Sequence, residues 1–186
     1  MLKYIIRDIT SVLHFAPYGI AAGVVVFLFC VLMNAWRTIT GREKVPIPAA
    51  VCFYTYAVII LVITFFSREN GSSNGVDLEL FSTWGINNRN NAYVIENILL
   101  FIPFGFVCPW HMKRVRSFLK CSGIGFLTSL AIECMQLVTR RGVFQIDDVL
   151  TNLVGSMIGY IFFLLCVSLR KRGLMTKGLF AQRKRF

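Results

Sequence analysis

Glu133 lies within an apolar run and the paired Asp147-Asp148 opens the next one, so the segment ECMQLVTRRGVFQIDDVLTN, from Glu133 to Asn152, sets ionisable side chains between two hydrophobic stretches. A carboxylate in hydrocarbon is costly, and such groups face a protein interior or a wet cavity and pair with cations or donors. Together with Gln136, Arg140, Arg141 and Asn152, the three acids offer three kinds of behaviour. They can bind the polar head of an amphiphile. Their oxygens suit Mg²⁺ or Mn²⁺, and an ion held by Glu133, Asp147 and Asp148 could polarise a phosphoryl oxygen. They can also form an ion-pair network that only fixes helix packing.

Other chemistries find no support. Ser129 precedes Glu133 by one helical turn, but no histidine shares its depth, so a serine-histidine-acid triad is not supported. His14 and His111 fall at separate ends of the chain and make no shared metal site. The six cysteines fall singly in or beside apolar runs with no C-x-x-C pair and read as small packing residues. No catalytic residue is assigned, no resident metal or cofactor is expected, and an enzymatic reading lacks a nucleophile.

The elements that must position these residues are membrane helices. With 56% hydrophobic residues, 17 Phe and 16% charged residues, and a mean hydropathy of +0.64, the composition is that of an integral membrane protein. Apolar segments run approximately over Tyr18 to Trp36, Ala49 to Phe66, Ile95 to Trp110, Phe118 to Val138 and Val149 to Leu169. The third is short, and its Pro103 and Gly105 predict a kink or a partly broken helix. Before them, Leu2, Ile5, Ile6, Ile9, Val12 and Leu13 recur at helical spacing among charges, which predicts an amphipathic helix in the interface rather than a cleaved signal. The fold class expected is therefore all-α: a polytopic bundle of about five transmembrane helices plus an N-terminal amphipathic helix. It divides into an interfacial segment 1–17, a transmembrane domain 18–169 and a basic cytoplasmic tail 170–186.

Fourteen of the 20 Lys and Arg residues fall in one set of alternating connections, around Arg37 to Lys44, Lys113 to Lys120 and from Arg170 onward. Basic loops stay in the cytoplasm, so the N-terminus is expected outside, the C-terminus inside, and the loop Ser67 to Val94 outside. Its Asn, Gly and Ser residues read as turns. The net charge of +11 is then almost wholly cytoplasmic and reflects topology and anionic lipid rather than nucleic acid.

At about 1.5 Å per residue, Glu133 lies roughly 7 Å below the outward end of its span, and Asp148 and Asn152 share one face of the next. Glu96-Asn97 enter span three at the same side, so the polar side chains are expected to share one outer-leaflet cavity. Gly155 and Gly159 are spaced for close helix approach, which predicts one compact unit of spans three, four and five.

Three blocks then resemble the VanZ-like family: NILLFIPFG from Asn97 to Gly105, SLAIECMQ from Ser129 to Gln136, and RGVFQIDDVLTNLVG from Arg141 to Gly155, with Ser67-Arg68 also in keeping. The resemblance implies a small multi-pass protein of the bacterial cell membrane, in a family whose namesake is associated with resistance to the lipoglycopeptide teicoplanin. It carries over Arg68, Asn97, Glu133, Gln136, Arg141, Asp147, Asp148 and Asn152 as motif positions, and these are the ligand-binding residues expected here. Where the family often has an acid two places before the Asp pair, this chain has Gln145. The partners expected are membrane lipid and a lipid-linked cell-wall precursor or lipoglycopeptide. The alternatives are a metal-dependent enzyme acting on a lipid phosphate or cell-wall intermediate, and a structural or assembly protein.

Overall fold

The computed structural model describes residues 1–66 and 75–183. Arg68, one of the expected ligand-binding positions, lies outside the described residues. The chain is nearly all helix: α1 (Leu2–Val12), a 3-10 turn (Leu13–Phe15), α2 (Ala16–Ile39), α3 (Ile47–Leu61) extended by a π turn (Val62–Phe66), α4 (Asn88–His111), a 3-10 turn (Lys113–Val115), α5 (Phe118–Val138) and α6 (Ile146–Arg183). Five helical segments among the described residues are long and apolar enough to cross a membrane. Two short strands, β1 (Val76–Asp77) and β2 (Phe144–Gln145), pair in parallel, with Val76 opposite Phe144 and Asp77 opposite Gln145. Nothing in the sequence announced this ladder, which ties the α3–α4 connection to the α5–α6 connection.

Helix α4 departs from expectation in two ways. It starts at Asn88, several residues early, because the Asn87 side chain caps it by accepting from the amides of Arg89 at 2.9 Å and Asn90 at 2.8 Å. Asn87, Asn88, Asn90 and Asn91, read as loop turns, are thus a helix start, while Asn70 and Asn74 lie outside the described residues, and 24 residues give a span of about 36 Å. It also runs unbroken through Pro103 and Pro109. The partial break expected at Pro103 is absent, and α6 lies against the helix on both sides of that proline. A Cβ on Gly155 would collide with the carbonyl oxygen of Ile98, one on Gly159 with that of Ile102, and one on Gly105 with that of Ser156. The backbones of α4 and α6 therefore touch, as the glycine spacing predicted.

Helix α5 packs on α6, α3 on α4 and α2 on α3, so the last three spans form the compact unit and the first two extend from it. The core holds Phe101, Phe104, Cys108, Cys121, Ile132, Tyr160 and Phe163, joined by Ile60 from α3. The Tyr56 hydroxyl donates to the carbonyl of Leu100, fastening α3 to α4. Helix α6 continues through Arg183 without a break at Leu169.

Candidate ligand-binding site

The polar residues of α5 and α6 gather at the end of the bundle where α3 finishes, α4 begins and the two strands pair. Glu133, Gln136, Asp147 and Asn152 are all at most 4% exposed and Asp148 is 8% exposed, joined by buried Ser129, Thr151 and Ser156. Each of the named acids and amides has a definite partner or position. Oε2 of Glu133 accepts from the Gln145 amide at 3.1 Å. Nε2 of Gln136 donates to the Thr64 carbonyl at 3.2 Å, and Nη1 of Arg141 to the Phe65 carbonyl at 2.8 Å. Nδ2 of Asn152 donates to Oγ of Ser129 at 2.8 Å.

Asp147 reaches furthest. Its Oδ1 accepts from the Phe81 amide at 2.7 Å, and its Oδ2 from the Thr83 amide at 3.0 Å and the Thr83 hydroxyl at 2.5 Å. Both oxygens are therefore engaged by the α3–α4 connection. The Asp pair at the first turn of α6 also meets the positive end of the helix dipole. Among the described residues, no group of three or more acids, histidines and cysteines is arranged to hold a metal ion. The three-carboxylate metal set does not assemble, because Asp147 turns outward to the connection while Glu133 turns to Gln145.

The π turn at the end of α3 joins this cluster to α3. A π turn shifts the pattern of helix hydrogen bonding and recurs at functional sites. Here its carbonyls of Thr64 and Phe65 accept from Gln136 and Arg141. The preceding residues of the same turn, Val62 and Ile63, line an apolar cavity of about 160 Å³ with Ile59, Leu13, Phe15, Ala16 and Gly19. One turn of chain thus separates a polar cluster from a hydrocarbon-lined cavity.

The expected convergence of Glu133, Gln136, Asp147, Asp148, Asn152 and Arg141 at one end is present, while Asn97 is half-buried on α4. Glu96, noted only as an entry point of the span, has its Oε1 buried with no hydrogen-bond partner among the described residues. Thr83 and Phe81 escaped sequence reasoning because they bind Asp147 across 64 and 66 positions, beyond any local pattern. Thr151, which donates to the Asp147 carbonyl at 2.9 Å, was findable as its i+4 neighbour.

A VanZ/LLP1 family model matches residues 53–167, more than half of the chain and inclusive of all eight candidate positions. The chain belongs to the VanZ/LLP1 family. It is 35% identical over 111 residues to Protein VanZ of Enterococcus faecium, an alignment covering 56% of this chain and 66% of that relative, slightly under two thirds of its length. No solved structure matches. The VanZ/LLP1 match begins at Phe53 and ends at Val167, so it embraces the helix pair α4–α6 and the polar cluster and leaves out α1 and α2. At Gln145 the group that meets Glu133 is the backbone amide, a role independent of the side chain.

Proposed function

We propose that this VanZ/LLP1 protein binds an amphiphile at the outer leaflet of the bacterial cell membrane, either a lipid-linked cell-wall precursor or a lipoglycopeptide, and contributes to teicoplanin-type glycopeptide resistance. The observation that carries this reading is the π turn Val62–Phe66, which has an apolar cavity on one side and the Gln136 and Arg141 contacts on the other. A ligand with an acyl tail and a hydrogen-bonding head needs such a juxtaposition, and the polar groups are already oriented by packing. Asp148 and Arg141 are the head-group contacts in this reading, while Asp147, committed to Phe81 and Thr83, positions the rim. The outward placement rests on the basic residues, which crowd the opposite ends of the helices.

Expression in a susceptible host should protect against teicoplanin more than against vancomycin, which lacks the acyl tail. Glu133→Gln and Asp148→Asn should each abolish the protection at unchanged membrane abundance, measured by minimum inhibitory concentration and immunoblot. Full protection by well-expressed variants would refute the site. That result would favour the structural reading, which has its own supporting observation: Glu133, Gln136, Asp147 and Arg141 all bind backbone groups of other elements.

A further inference from the structure

The connection before α4 is built inside out. Across residues 76–86, the large apolar side chains face outward: Leu78 is 65% exposed, Phe81 60% and Ile86 65%, with Leu80 and Trp84 also exposed. Asp77, Ser82 and Thr83 turn their polar groups toward the protein, while the Glu79 side chain is exposed. The Glu79 amide donates to Asp77 Oδ1 at 3.0 Å and the Ser82 hydroxyl to Asp77 Oδ2 at 2.8 Å. The Phe81 and Thr83 amides go to Asp147, the Trp84 amide to the Phe81 carbonyl at 3.1 Å, and the Gly85 amide to Asn91 Oδ1 at 2.8 Å. Phe81 adopts the left-handed conformation, φ 64°, which is uncommon for a bulky residue. That conformation sets its ring edge-on to Trp84, with centroids 5.4 Å apart.

The amides of Glu79, Phe81, Thr83, Trp84 and Gly85 are thus met within the protein, which lowers the cost of bringing this backbone against lipid, where an unmet donor is expensive. We infer that the Leu78–Ile86 turn is a membrane-dipping wedge whose Phe81 and Trp84 rings sit in the headgroup and upper acyl region of the leaflet on their own side of the bundle. Trp is enriched at that depth because its ring is apolar and its N–H polar. The turn runs directly into α4, whose Tyr93 and Leu99 continue the exposed apolar surface, and α1, packed against α4, presents exposed Leu2 and Ile6. The wedge thus adjoins helices whose exposed side chains include further large apolar residues. Glu79 and Arg89, both exposed, mark the level where charge meets water and headgroups. Asp147 holds the wedge by its three accepted hydrogen bonds, which assigns this buried carboxylate a positioning role toward the membrane.

A protein retaining Trp84 alone, with Trp36→Phe and Trp110→Phe, tests this in phosphatidylcholine nanodiscs. Trp84 emission should be blue-shifted, at least halved by lipids brominated high on the acyl chain, and little affected by aqueous iodide. Adding Asp147→Ala, with helicity confirmed by circular dichroism, should raise iodide quenching several-fold and weaken the bromine effect. Quenching by iodide but not by brominated lipid in the Asp147 parent would overturn the inference. So would shielding from both quenchers, which would assign the patch to protein contact. The parent measurement decides the matter even if the Asp147 variant fails to fold.

Discussion

Asp147 and Asn152 show how a buried polar residue in this protein is used. Asp147 accepts three hydrogen bonds from one connection, and Asn152 donates to Ser129 while its Oδ1 is buried without a partner among the described residues. Losing a partner costs more than losing a bond that was never made, because the orphaned group stays desolvated. Ser129→Ala should therefore destabilise by about 1 kcal/mol, the range of interhelical hydrogen bonds in membranes. Ser122→Ala, which removes a buried hydroxyl that has no partner among the described residues, should be neutral or slightly stabilising. Reversible unfolding in mixed micelles separates the two, and equal losses would show that packing, not hydrogen bonding, governs α5. The types of these side chains and their shared depth were legible in the sequence. Their partners were not, since Asp147 looks across to Phe81 and Thr83 and Gln136 to a carbonyl of α3.

Among the elements, α4 and α6 form the axis on which the others hang. Their contact rests on Gly105, Gly155 and Gly159, each opposed by a backbone carbonyl that cannot rotate away as a side chain would. Gly155→Leu must push the helices apart, and overpacking of this kind costs about 1–3 kcal/mol or more. Gly123→Leu on α5 meets nothing within 4 Å and should be tolerated. Thermal denaturation of both variants in detergent should show a large loss for the first and little change for the second. The glycine spacing of α6 could be read beforehand because a small-x-x-x-small pattern has one principal packing consequence. The continuity of α4 could not, since Pro103 alone argues for a break and the helix that lies against it on both sides comes some fifty residues on. Its early start depended on Asn87, one of several asparagines, turning its side chain onto two amides.

At the scale of the whole molecule, the helices separate two unlike ends. One carries Arg37, Arg42, Lys113, Arg114, Arg170, Lys171 and Arg172; the other carries the polar cluster, the strand pair and the apolar turn. If the basic end is cytoplasmic, a cysteine at Asn87 should react with an impermeant thiol reagent in intact cells and one at Lys113 should not, compared with the parent and its native cysteines. The opposite labelling would invert the orientation. Composition and apolar run length already required a helical membrane bundle, because hydrocarbon admits backbone only when its polar groups are satisfied within a helix or a closed barrel. The number of spans, the crowding of acids near one end and the family motifs followed from order along the chain. What those acids touch was settled by folding: the π turn, the parallel strands and the Asp147 clamp each join segments distant in sequence. Their hydrogen bonds depend on directions in space that no local pattern of residue types encodes.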